Sequence, residues 1–154
     1  TLAPWIATLG AALERGLVLA LDYGLPRREL YHPGRSDGTL LCHFRQRAHG
    51  DPLRNVGLQD ITAWVDFTAV AEAAVDAGLV VAGFATQAAF LLALCIEADV
   101  AREADTVQRA ARAGEARRLL MPEEMGETFK AIALARGLDA PLSGFALQDL
   151  RRLL

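Results

Sequence analysis

The sequence predicts an α/β fold built on a largely parallel sheet, and three observations point there. Short, continuous apolar runs at residues 17–21, 79–84 and 129–135 read as strands buried within a sheet. Amphipathic helical stretches alternate with them, which is the order of an α/β sheet rather than a bundle or a sandwich. Three strands with faces this apolar also need more sheet beside them, so the chain is expected to be part of a larger domain.

Taken in order, residues 4–15 read as a helix with Trp5, Ile6, Leu9, Ala12 and Leu13 on one face and Gly16 as its stop. The first strand, 17–21, runs into Asp22-Tyr23-Gly24 at its carboxyl tip. Residues 23–60 are rich in Pro and Gly and mostly irregular, with one strand at 39–44. A connection this long is usually functional or disordered, and its aromatics favour order. Residues 66–77 carry the clearest helix: Phe67, Val70, Ala71, Ala74 and Val75 recur at helical spacing, Asp66 stands at the N-cap, and Gly78 follows the end. After the strand at 79–84, Thr86 is placed to cap a helix over 87–97. Further helices are expected at 99–113 and 115–121. Pro122 is placed to open a short helical turn ending at Gly126. Residues 129–135 form the last strand, and the tail from Pro141 carries a loop and a short helix.

Composition excludes several functions. Hydrophobic residues make up 53% and charged residues 23%, as in an ordered globular chain. A formal net charge of −3 gives no electrostatic case for nucleic acid or a membrane surface. The apolar run 79–96 is broken by Gly83, Thr86 and Gln87, and reads as a strand followed by a helix rather than a span of ~20 apolar residues. Cys42 and Cys95 make no disulfide framework, no secretory signal opens the chain, and a cytoplasmic location is expected. Of the 16 basic residues all but Lys130 are arginine, a usage that suggests a bacterial source. No Walker or dinucleotide fingerprint and no nucleophile elbow is present.

The candidate site residues are mostly acidic. Asp22, Tyr23 and Gly24 sit at a strand tip, where an open α/β sheet presents its ligand, although Asp-Tyr-Gly also suits a simple turn. Asp60, followed by Thr62, offers a carboxylate able to grip a guanidinium bidentately, with an Asx or N-cap turn as the equal alternative. For Asp66 the N-cap role outweighs substrate binding. His43 is a candidate general base. His43 and His49 with Cys42 match no zinc spacing, so no metal is expected. Arg27, Arg28, Arg35, Arg45, Arg47 and Arg54 make the long connection basic. Ion pairs that fix the loop, or contact with an acidic partner surface, are the favoured readings.

Three groups of segments resemble one family. They are L-A-L-D-Y-G at 19–24; G-T-L-L-C-H-F-R-Q-R-A-H-G-D-P-L at 38–53 with G-L-Q-D-I-T-A-W-V-D-F-T at 57–68; and T-Q-A-A-F-L-L-A-L at 86–94 with M-P-E-E-M-G-E-T-F-K at 121–130 and G-F at 144–145. Together they are similar to the MidA-like S-adenosylmethionine-dependent methyltransferases, in order and over nearly the whole chain. Departures are Trp64 and Gln46, where members often carry His, and Cys95, where Gly is usual.

The resemblance implies the carboxyl-terminal half of a class I, Rossmann-like methyltransferase sheet, spanning 1–154, with a helical insertion at about 86–126 before a last, antiparallel strand. It implies that S-adenosylmethionine is bound mainly by a glycine-rich turn upstream of Thr1. It further implies a protein substrate, with arginine methylation and a respiratory complex subunit suggested by the mitochondrial members. On this reading Asp22, Tyr23, Asp60 and His43 are catalytic, and Gly24, Thr62 and Asp66 bind substrate. The alternative is a non-catalytic assembly module that docks or homodimerises through the helical insertion. The strand at 129–135 should run antiparallel beside that at 79–84, with the inserted helices at the sheet edge. Asp22 and Asp60 should share the carboxyl end of the parallel strands.

Overall fold

The computed structural model describes residues 2–154. Helix α1 (Leu2–Ala12) leads into β1 (Gly16–Leu25) and a single helical turn, α2 (Arg27–Leu30). An excursion follows with β2 (Leu41–Phe44), β3 (Arg47–His49) and β4 (Asp60–Thr62). The chain returns through β5 (Val65–Asp66) into α3 (Phe67–Asp76) and β6 (Val80–Thr86). Three helices, α4 (Gln87–Ala93), α5 (Ile96–Ala101) and α6 (Thr106–Leu120), precede β7 (Phe129–Arg136). Two 3₁₀ turns, Ser143–Phe145 and Arg151–Leu153, close the chain.

The main sheet has the order β5-β1-β7-β6. Strand β7 runs antiparallel to both β1 and β6, so β1 and β6 point the same way with the reversed strand between them. The reversal expected of the last strand is therefore present, and β7 has two partners rather than one. Helices α1 and α3 cover one face, where Ile6, Phe67, Val70, Ala74, Phe84, Ile132 and Leu134 form the principal core. The other face is covered by α4 and the first 3₁₀ turn: Phe90 and Phe145 meet at a tilt, centroids 5.2 Å apart, and pack with Ala85, Ala131 and Ala133. Helix α4 thus lies over the second face, not at the sheet edge as expected, because Phe90 finds small alanines beneath it.

Several boundaries move for identifiable reasons. Trp5 is 55% exposed, since Ile6 and Gly10 are the residues α1 turns inward. Strand β1 runs four residues past its apolar run, because β7 pairs with it as far as Tyr23 and β5 holds Gly24 and Leu25 in parallel register. The excursion holds three strands rather than one. The helix expected over 87–97 breaks at Cys95, whose φ of +60° ends α4 and starts α5. A left-handed residue is where glycine costs least, which accounts for the glycine usual in the family at this position. Asp105 caps α6 through the amides of Val107 and Gln108, and the helices expected at 99–113 and 115–121 are instead one helix that starts at Thr106 and runs through Gly114. Residues 122–128 are turns and not a helix.

The caps of α3 and α4 are as the sequence predicts. Asp66 accepts from the Ala69 amide at 2.9 Å, and Thr86 from the Ala89 amide at 3.3 Å. At the other end of the sheet, the Arg136 guanidinium donates to the carbonyls of Gly10, Leu13, Ala77 and Gly78. One side chain thereby satisfies the orphan carbonyls that end both α1 and α3. No described helix is long and apolar enough to cross a membrane.

Candidate functional site

The carboxyl ends of β1 and β6, with the start of β7 between them, define one end of the main sheet. There the register aligns a row of polar residues: Lys130 of β7 stands opposite Asp22 on one side and Thr86 on the other. Directly opposed residues share a face, so Asp22, Lys130 and Thr86 all point toward the α3 side. Asp22 lies within a paired strand, which removes the turn reading for Asp-Tyr-Gly. Its Oδ1 accepts the Tyr23 amide at 2.8 Å. Strand alternation turns Tyr23 to the opposite face, where it meets Phe129 edge-on at 5.5 Å. Asp22 and Tyr23 consequently do not line the same wall. Gly24 is buried, and a Cβ there would lie 2.3 Å from the Val65 carbonyl oxygen. Its role is close packing of β5 onto β1, with no open space for a substrate.

Lys130 is the functional candidate that sequence reasoning missed. It is only 6% exposed, and its ammonium donates to the carbonyl of Glu127. Burial pushes its pKa below the ordinary lysine value, partly offset by Glu127 and Glu29. A cavity of about 320 Å³ adjoins it, lined among others by Thr86, Glu29, Glu127, Leu25 and Leu150. One signal was available in the sequence: this is the sole lysine in a chain that otherwise uses arginine.

The excursion that carries the remaining candidates leaves β1 at its carboxyl tip and rejoins the sheet there through β5. The segment that follows Asp60 therefore re-enters the main sheet at the end that carries Asp22, while Asp60 itself lies in the small sheet. Within the small sheet, of order β3-β2-β4, His43 of β2 and Asp60 of β4 are direct cross-strand partners. Both are exposed and stand on one face, so an imidazole and a carboxylate lie side by side in an open position. Asp60 is in a strand, not an Asx turn. The Thr62 hydroxyl donates to the Leu41 carbonyl at 3.1 Å and ties β4 to β2. Asp66 has both oxygens engaged: Oδ1 caps α3 and Oδ2 accepts from Arg27 at 3.2 Å. Arg27 also grips Glu72 bidentately at 2.7 and 2.6 Å, which raises the guanidinium pKa and lowers that of the Glu72 carboxyl. This network straps α2 to α3, so Asp66 is a structural residue rather than a free substrate ligand.

One edge of β1 is largely open. Among the described residues, β5 pairs only with Gly24 and Leu25, and residues 16–23 have no partner on that side. On the α4 side of the sheet, Leu17, Leu19 and Leu21 of β1 are 39%, 43% and 42% exposed. An unpaired strand edge flanked by exposed leucines is a surface open to pairing with another strand.

Comparison with known proteins bears on this geometry. Residues 1–85 match the family described as "putative S-adenosyl-L-methionine-dependent methyltransferase". The chain belongs to that family. It also resembles the crystal structure of an uncharacterised superfamily protein from Burkholderia thailandensis, with 44% identity and a TM-score of 0.95 over 99% of this chain and 41% of that one. A second Burkholderia thailandensis structure, described as a "likely methyl transferase" bound to S-adenosyl-homocysteine, is 43% identical with a TM-score of 0.93, over 99% of this chain and 40% of that one. No functionally curated protein matches. The chain thus spans about two fifths of the length of its solved relatives.

Proposed function

We propose that the chain is the carboxyl-terminal half of a bacterial, cytoplasmic S-adenosylmethionine-dependent methyltransferase that modifies an arginine side chain of a partner protein. The observation that carries the methyltransferase reading is the relative with bound S-adenosyl-homocysteine, which shares 43% identity over 99% of this chain. The open edge of β1 supports the division of labour. No glycine-rich strand-to-helix turn occurs in the described residues, so they do not fit the cofactor by themselves, and its cradle is assigned to sheet beyond the open edge of β1. The cofactor, once bound there, supplies an electrophilic methyl group.

This chain contributes the acceptor side. Asp60 is suited to hold a guanidinium through paired charge-assisted hydrogen bonds, and His43 beside it to take up the proton released on transfer. Methyl transfer is an in-line displacement, so such groups act by orientation and electrostatics and not by forming covalent intermediates. Arginine as acceptor and a respiratory complex subunit as its carrier rest on the family resemblance.

Titration calorimetry with S-adenosyl-homocysteine tests the reading. The full-length protein should bind it and residues 1–154 alone should not. Binding by residues 1–154 alone would refute the division of labour, and no binding by the full-length protein would refute the cofactor assignment.

One observation favours a second reading, docking or dimerisation through the inserted helices. Helix α6, 15 residues long, buries no residue in this chain, and neither does α5. A strictly monomeric full-length protein that retains no partner through α6 would remove it.

A further inference from the structure

The small sheet carries an unneutralised cluster of positive charge. Arg45, Arg47 and Arg54 line a cavity of about 630 Å³ together with Phe44, His49 and Asn55, and no carboxylate is among the lining residues. Sequence reasoning favoured ion pairs that fix this loop, or an acidic partner. Among the described residues the ion pairs involve Arg27, Arg102, Arg112 and Arg151, and none of the three cavity arginines. Of the acids nearest in sequence, Asp51 accepts the Leu53 amide, Asp37 accepts the Ser36 hydroxyl and Asp60 stands opposite His43; none is ion-paired with these arginines. The Arg45 guanidinium lies over the Phe44 ring at 5.3 Å, which holds its plane while leaving its edge donors free.

Beside these arginines His49 is tied into the loop, its Nδ1 accepting the Asp51 amide at 3.3 Å. The β2–β3 turn is also strained. Arg45 and Gln46 both hold left-handed backbone, φ +48° and +63°, at the two positions of a hairpin turn that favours Asn-Gly. The strain places an arginine at the tip next to the cavity.

We propose that this cavity binds an acidic stretch of the polypeptide whose side chain is methylated, an inference that rests on the protein-acceptor reading above. Guanidinium forks match carboxylates bidentately. The cluster is local, on a chain whose net charge is −3, so a short acidic segment is attracted while a long polyanion is repelled by the remainder. The single lining aromatic, Phe44, lies beneath Arg45 and offers no stacking platform for bases. The excursion joins the main sheet at the end that carries Asp22, so an anchored segment would present a neighbouring residue to the site.

Fluorescence anisotropy of a labelled hexaglutamate peptide with the full-length protein tests this. Hexaglutamate should bind at low salt, weaken as salt is added, and lose at least about tenfold in affinity in the R45Q/R47Q/R54Q variant. The R15Q/R28Q/R152Q variant removes the same charge from exposed positions outside the small sheet and the inserted helices, and should bind like the parent. Equal loss in both variants, displacement of the peptide by inorganic phosphate at matched charge, or tighter binding of oligouridylate would each overturn the proposal. If the hairpin variant fails to fold, R54Q and R54E alone should weaken binding in that order, and unchanged binding in both overturns it. The readout is peptide binding rather than methyl transfer, so its failure is distinguishable from failure of the cofactor reading.

Discussion

The two sheets of this molecule are held together in opposite ways. The main sheet is cemented by apolar packing: Phe84 and Ile132 are fully buried, and Phe67 packs at a tilt against Phe84, ring centroids 5.2 Å apart. The small sheet has one fully buried side chain in its strands, Cys42, and is otherwise tied by backbone pairing and short polar contacts. Charge is distributed accordingly. The main sheet admits one buried cation, Lys130, whereas the small sheet displays His43, Asp60 and three unpaired arginines. Stability is concentrated in one sheet, and freedom to vary recognition chemistry in the other, which is the usual relation between a scaffold and the loops it carries.

The largest effect should come from breaking the scaffold. Phe84→Ala should cost about 3–5 kcal/mol, because the ring is enclosed on all sides. Leu41→Ala in the small sheet, where the side chain is 41% exposed, should cost about 0.5 kcal/mol or less. Urea unfolding of both variants in the full-length protein measures the contrast, and similar losses would mean that the small sheet is also part of the stability core.

Function should divide the other way. Asp60→Asn is nearly isosteric and exposed, so unfolding should be unchanged while methyl transfer falls by about tenfold or more, since charge-assisted hydrogen bonds contribute roughly 1.5–3 kcal/mol. Transfer rates equal to the parent would remove Asp60 from the site.

The same contrast governs how much could be read from sequence. The scaffold was legible because burial imposes pattern: the spacing of Phe67, Val70 and Ala74 fixed α3, and the apolar run at 129–135 fixed β7. The small sheet was largely illegible. Its strands are three or four residues long, and its hairpin turns on Arg-Gln where the signal to look for is Asn-Gly. The cross-strand meeting of His43 and Asp60 depends on that unrecognised pairing, so no spacing in the chain could reveal it. Within the scaffold, β1 was underestimated because Asp22-Tyr23-Gly24 has turn composition, and tertiary pairing overrides it. The Cys95 break was hidden in this chain's own residues, since cysteine carries no expectation of a left-handed backbone, although the glycine usual there in the resembled family was a signal of one.

That break gives a smaller prediction. Cys95 at φ +60° pays a steric cost of about 1–2 kcal/mol that glycine escapes, although glycine loses more entropy on folding. Cys95→Gly should therefore stabilise the full-length protein by somewhat less than about 1 kcal/mol, read as a higher urea midpoint. A lower midpoint would mean that the exposed thiol makes contacts in the intact molecule that outweigh the backbone.

The smallest net effect at neutral pH, and the one that most sharpens the contrast between the sheets, concerns Lys130. A charge kept inside a scaffold at a desolvation cost is weak evidence for stability and better evidence for function. Lys130→Met removes that cost and also removes the hydrogen bond to the Glu127 carbonyl, so the two changes largely offset each other. The pH dependence separates them. Burial lowers the lysine pKa in the folded state, so between that value and the ordinary one the unfolded chain binds the extra proton. Stability must then rise with pH across this window, which lies below the ordinary lysine pKa of ~10.4. The methionine variant has no such proton to lose, so its advantage over the parent should shrink as pH rises from neutral toward the ordinary lysine pKa. Urea midpoints of both proteins across that range measure it. Parallel curves would show that Lys130 titrates alike in both states, and its burial would then carry no implication for the site.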